Sequence, residues 1–186
     1  MNLTRIYHKG IFSSMKNLFR KIKLNFAKLM FLTLGKILPT KGLRRLRTHW
    51  ARMISKNIDK QANIQRGAFI AGDGSNLIIG YHGAIGKNCK IGSNCTIGAG
   101  TIMGPECIIL TQNHKWDEDA HRLVGYESKP VIIGEKCWIG TRTIILPGAK
   151  IGNHCIIGAG SVVPNKEYPD YSLIAGNPAI VKKSLL

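Results

Sequence analysis

An aliphatic side chain recurs at every sixth position of this chain through two long series: Ile85, Ile91, Ile97, Met103 and Ile109, then Ile133, Ile139, Ile145, Ile151, Ile157 and Val163. A helix buries one face by spacing apolar residues three or four apart, and a strand by spacing them two apart. A period of six fits neither. It fits a chain that runs a short strand, turns a corner and repeats, sending one apolar side chain inward from each side. Glycine usually follows, as at Gly86, Gly92, Gly98, Gly104, Gly134, Gly140, Gly152 and Gly158. It is read as corner backbone that larger residues would crowd. The expected fold class is all-β: a parallel β-helix, or hexapeptide-repeat solenoid, of roughly five coils, with an N-terminal basic α-helical segment.

Three regions are expected: a basic helical segment over 1–60, a solenoid over 61–163 with an extruded loop at 115–130, and a C-terminal turn and tail over 164–186. Residues 1–60 carry 15 Lys/Arg against the single acid Asp59, whereas 61–186 carry 12 Lys/Arg against 9 acids. Phe12, Met15, Phe19, Ile22, Phe26 and Leu29 follow a three/four spacing with cations between them, predicting a helix from about residue 11 that ends at Pro39. Gly42 lies in a linker, and a second helix is expected from Leu43 to Ile58. Recognisable hexads begin at Ile64 and Ile70; the nine-residue step from Ile70 to Ile79 makes Gly72-Asp73-Gly74-Ser75-Asn76 bulge from a corner. The apolar stretch Leu29–Gly35 is far shorter than the roughly 20 residues that cross a membrane. Charges interrupt every candidate signal-peptide core, so the expected location is cytoplasmic, with peripheral contact at the inner face of the cell membrane as an option.

Cys89, Cys95, Cys107, Cys137 and Cys155 all occupy the fifth hexad position, a corner site for small residues. With three hexads to a coil, Cys89 stacks on Cys107 and Cys137 on Cys155. They read as buried thiols, and no CxxC spacing suggests zinc.

The span from Ile133 to Val163, with Thr111-Gln-Asn-His-Lys-Trp-Asp117 and Ala175-Gly-Asn-Pro-Ala179, closely resembles the hexapeptide-repeat acyltransferases. It is most similar to their galactoside, maltose and bacterial polysaccharide O-acetyltransferase branch. The likeness covers about residues 61–183. It implies a left-handed β-helix, a homotrimer, acetyl-CoA as donor substrate in a groove between neighbouring prisms, and a sugar or glycan hydroxyl as acceptor.

Acyl transfer to a hydroxyl needs a base, and imidazole suits that work near neutrality. His114 ends a regular coil at the loop junction and matches the family's catalytic histidine. The resemblance puts the oxyanion and donor side at Gly140 and Thr141. It puts coenzyme contacts at Trp138, Ala159, Gly160 and Ser161, and the coenzyme phosphates at Lys166 and Lys183, with Lys182 a further candidate. Trp116, Asp117 and His121 are the loop candidates for the acceptor: an aromatic face, a carboxylate and a second imidazole. His154 and His82 lie at corners, and His8 and His49 in the helical segment. Two departures from the family pattern stand out. Pro164-Asn165 replaces the threonine that usually precedes the lysine, and Tyr81-His82-Gly83-Ala84 replaces an Asp-Asn pair, so the acceptor-side asparagine is not carried over.

A zinc-dependent carbonic anhydrase on the same solenoid needs histidines five apart, whereas His114 and His121 are seven apart; no metal is expected. The non-enzymatic alternative is a membrane- or nucleic-acid-binding solenoid. The N-terminal cations lack the aromatic interleaving and motifs of a specific nucleic-acid binder. They suit residues 1–40 to anionic lipid, or to a helix that caps the solenoid with its charges in water. Among enzymes, sugar-nucleotide N-acetyltransferases and antibiotic acetyltransferases would use the same base and donor.

Overall fold

The computed structural model describes residues 3–33, 44–74 and 76–186, with the side chains of 14–30, 33 and the later segments. Residues 63–176 wind into a prism with three parallel β-walls, built from strands mostly two or three residues long. The first wall holds Leu77–Ile79, Cys95–Ile97, Val131–Ile133, Lys150–Ile151 and Glu167–Tyr168. The second holds Asn63–Ile64, Ala84–Ile85, Ile102–Met103, Trp138–Ile139, Ile156–Ile157 and Ser172–Gly176. The third holds Phe69–Ile70, Lys90–Ile91, Ile108–Ile109, Ile144–Ile145 and Val162–Val163. Each two-residue strand of the coil buries one residue and each three-residue strand its two ends, and Ile79, Ile97, Ile133 and Ile151 form one column of the core. The loop leaves this register intact: Ile97 pairs with Ile133, Met103 with Ile139 and Ile109 with Ile145.

The coil reaches beyond the expected 61–163. Ile58 bridges to Ile79, and Tyr168 and Ile174 supply buried inward residues after Val163. The stack therefore has about six turns rather than five. Tyr168 hid that continuation by filling an aliphatic position with a ring, its hydroxyl donating to the Ala179 carbonyl at 3.2 Å.

The glycine after each inward residue sits where a side chain would be crowded, and the crowding comes from the next coil. A Cβ at Gly86 would stand 2.2 Å from the Gly104 carbonyl oxygen, and one at Gly98 2.4 Å from Gly134 backbone. Close approach of successive coils, rather than φ, excludes side chains there. Left-handed φ occurs two residues later, where Asn88, Glu106, Lys136, Arg142 and His154 take φ of 53–61°.

α1 (Leu3–Leu32) and α2 (Arg44–Ile54) precede the coil. α1 starts before the expected residue 11; Pro39 and Gly42 lie outside the described residues. α2 ends four residues short of Ile58, because Ser55 turns back to donate its hydroxyl to the Leu77 carbonyl at 2.7 Å and frees Ile58 to join the coil. A solenoid end is an open strand edge that needs a cover. α2 provides it: Arg47 Nε donates to the Ile64 carbonyl (3.0 Å), Thr48 Oγ1 to that of Ala62 (2.9 Å) and Arg52 Nε to that of Ile58 (3.0 Å). α1 lies on α2, burying Ala27, and Lys28 Nζ bonds the Gly72 carbonyl of the bulged corner. Ser75 of that bulge lies outside the described residues. At the other end Ala179–Ser184 folds back antiparallel on Ser172–Gly176 through a cis Asn177–Pro178 bond, extending the second wall. Among the described residues no helix is long and apolar enough to cross a membrane.

Candidate functional site

The 115–130 segment, expected as an irregular loop, is an antiparallel hairpin of Gln112–Asp117 and Arg122–Ser128. It leaves the prism at the edge between third and first walls. Its base is tied by Lys129 N and Ser128 Oγ, both donating to the Thr111 carbonyl at 3.0 and 3.1 Å. Alternation sorts its side chains. His114 faces Tyr126 and Trp116 faces Leu123 on one side; Asn113 with Glu127 and Asp117 with Arg122 lie on the other. The His114 and Tyr126 rings stack at 4.4 Å between centroids, tilted by 41°, and both are exposed. Tyr126 is the site residue that sequence reasoning missed. Its signal was an aromatic residue in a charged loop, but the pairing depends on a bulge between Leu123 and Gly125 that periodicity does not show.

Asp117 Oδ1 accepts the N–H groups of Asp119 and Ala120, at 3.1 and 2.9 Å, and so holds the hairpin turn. The structure thus gives this carboxylate, expected at the acceptor, a local turn-forming role. Trp116 is half-exposed beside it, and His121 sits in the turn at φ 48°. His82 packs edge-on to Tyr81 at 4.2 Å, and His154 stacks flat on Tyr171 at 4.7 Å. The side chain of His8 lies outside those described.

The other candidates gather along the edge between second and third walls. Trp138 projects outward from the second wall between Ile102 and Ile156, and 57% of it is exposed. The Gly140 N–H, expected to face an oxyanion, is committed to the coil ladder, donating to the Ile157 carbonyl at 2.8 Å; the Gly160 N–H likewise donates to the Thr141 carbonyl at 2.8 Å. The third hexad position differs, because its N–H points out of the ladder. At the edge between first and second walls, Asn153 Oδ1 takes the Glu135 N–H (2.8 Å) and Asp170 Oδ1 that of Asn153 (2.7 Å). At the Trp138 edge, among the described residues, Thr141 and Ala159 donate their N–H to no partner. These are two stacked outward amides, one coil apart.

Ser161 is buried: its hydroxyl donates to the Gly158 carbonyl (2.7 Å) and accepts the Gly176 N–H (3.2 Å), so its side chain is structural. Arg142 pairs with Glu106 at 2.7 Å along the same edge, and that carboxylate raises the guanidinium pKa. Lys166 lies at the edge between third and first walls, whereas Lys183 is on the outer strand beside Leu173. Among the described residues no three His, Cys, Asp or Glu side chains gather as a metal site. The five thiols are buried and unbridged, with Cys155 N bonded to Cys137 Sγ at 3.4 Å.

Within one chain the imidazole therefore occupies one prism edge, while the indole and the outward amides occupy another, with the third wall between them. Known proteins share this architecture. Residues 130–165 match the model of the bacterial transferase hexapeptide (six repeats), and 84–110 that of the hexapeptide repeat of succinyl-transferase. The chain is 37% identical over 84 residues to the galactoside O-acetyltransferase of Lactococcus lactis subsp. lactis (strain IL1403), a match covering 45% of this chain and 40% of that one. The chain thus spans about two-fifths of that relative's length. Among solved structures, a hexapeptide-repeat acetyltransferase from Vibrio cholerae superposes with TM-score 0.75 at 25% identity over 90% of this chain and 93% of that one. A maltose O-acetyltransferase from Clostridium difficile 630 does so with TM-score 0.74 at 25% identity over 90% and 89%. The Vibrio cholerae enzyme is also known complexed with acetyl coenzyme A, a structure sharing this fold with TM-score 0.67 at 24% identity over 90% and 87%. In its repeats, its prism and these relatives, the chain resembles the hexapeptide-repeat acyltransferases, galactoside and maltose O-acetyltransferases among them.

Proposed function

We propose that the protein transfers an acetyl group from acetyl-CoA to a hydroxyl of a sugar or glycan, with His114 as general base. The acceptor oxygen attacks the thioester carbonyl as an imidazole nitrogen of His114 takes its proton. The C–O bond forms, the C–S bond breaks, and the proton passes to the departing thiolate. The Thr141 N–H, rather than that of Gly140, holds the transient oxyanion. Trp138 and the Ala159 N–H border the pantetheine arm, with Gly160 beside them and Lys183 toward the phosphates; Lys166, on another edge, belongs to a neighbouring copy's groove. Trp116 and His121 line the acceptor side of the hairpin. Because base and amides occupy different edges of one prism, a complete site takes its hairpin from one protomer and its amide edge from the next, in a homotrimer.

The observation that carries this reading is the solvent-facing His114 ring, stacked on Tyr126 in a hairpin of defined register. The test is thiol release from acetyl-CoA against a panel of sugars, sugar nucleotides and isolated glycans. His114→Ala is expected to lower turnover at least about 10²-fold while acetyl-CoA still binds; unchanged turnover rejects the mechanism.

A further inference from the structure

Among the described side chains of α1, most of the large apolar ones face water rather than the protein. Ala27 is fully buried and Leu24 and Met30 partly so, whereas Met15, Leu18, Phe19, Ile22, Phe26 and Leu29 are 50–65% exposed. At about 100° of rotation per residue, those six share about 100° of arc. The stripe is therefore not the face that caps the solenoid. Lys16, Arg20 and Lys23 flank it on one side and Lys21 on the other, Lys28 being bonded to the Gly72 carbonyl, and α1 contains no acid. Phe19, Arg20 and Lys23 also border an open cleft of about 910 Å³ between α1, α2 and the bulged corner, to which Arg52, Lys56 and Asp73 contribute. Such a helix, apolar along one line and cationic on both shoulders, matches a bilayer surface in two layers: acyl chains against the rings, phosphates against the cations.

We infer that this face docks the protein on a membrane bearing anionic phospholipid, with α1 lying in the interfacial plane. Charge favours lipid over a second copy of the same face, since a face-to-face pair would bring two cation-flanked stripes together with no acid on either helix. The inference is independent of the acyl transfer, and its readout involves no turnover.

The experiment is co-sedimentation of the full chain with phosphatidylcholine vesicles, with and without phosphatidylglycerol. A Leu18→Ser/Ile22→Ser/Phe26→Ser variant is run alongside, its fold and mass checked by circular dichroism and light scattering. The wild-type chain is expected to sediment at least about 10-fold better with the anionic vesicles, and the variant to lose that gain. Should the variant misfold, Phe26→Trp supplies a second measure: its emission should shift to the blue only with anionic vesicles. Absence of wild-type binding, equal binding by a folded variant, or a change of oligomeric mass in the variant would each overturn the inference. The last of these would make the stripe a contact between copies.

Discussion

An added Cβ at Gly140 would stand 2.5 Å from the Ala159 nitrogen and 2.8 Å from its Cα, backbone atoms that cannot swing aside. At Gly160, φ is +69° but a Cβ would meet nothing within 4 Å. Gly140→Ala is therefore expected to cost about 1–3 kcal/mol by overpacking, and Gly160→Ala about 1 kcal/mol of left-handed strain. Denaturant unfolding of both variants tests the order. Thr141→Pro is a cleaner probe of the amide. Pro105 and Pro147 already occupy the third hexad position, so the fold tolerates proline there; turnover should fall about 10²–10³-fold through loss of one N–H. The thiols set an alkaline limit. Burial pushes Cys95 up to about 12 and Cys137 up to about 11, against about 8.5 for an unfolded thiol. The folded state favours the neutral form, so this stability is complete below about pH 8.5 and is lost as the pH climbs toward those values. The thermal midpoint should fall across that window, and fall less in Cys95→Ala.

For the hairpin, the question is what fixes its position. Its base is bonded to the Thr111 carbonyl and its turn to Asp117, yet most of its side chains are exposed. Asp117→Ala should speed amide exchange over residues 118–122 while moving the global midpoint little, since few buried contacts depend on the turn. The charge pattern of 115–130 marked this segment as outside the coil. It left the hairpin unseen, because its alternation is confined to short arms broken by a bulge. Reading Asp117 as an acceptor ligand missed that a carboxylate two or three residues before amide donors most readily closes its own turn.

Across the whole molecule, His114 and Thr141 occupy different prism edges, so the proposed mechanism requires assembly. Co-expression of His114→Ala with Thr141→Pro should restore turnover that neither variant has alone. Randomly mixed trimers would place an intact hairpin against an intact amide edge in about one site in four. No recovery in mixed trimers of verified mass would place the whole site within one chain. In the core, Ile139→Ala is expected to cost about 2–5 kcal/mol, because Ile139 is fully buried between Met103 and Ile157 in mid-stack.

The six-residue period was enough for the coil: which residues point inward, and that His114 stands where the coil breaks. A period of six is a local geometric constraint, legible wherever neighbouring hexads repeat it. The tertiary structure decided which amides are committed and which point outward, that Tyr126 lies against His114, that Ile58 and Tyr168 extend the stack, and that α1 turns its apolar stripe away from the protein. Each of these depends on contacts between residues distant in sequence, or on the packing of one element against another. A repeat pattern carries no record of such contacts.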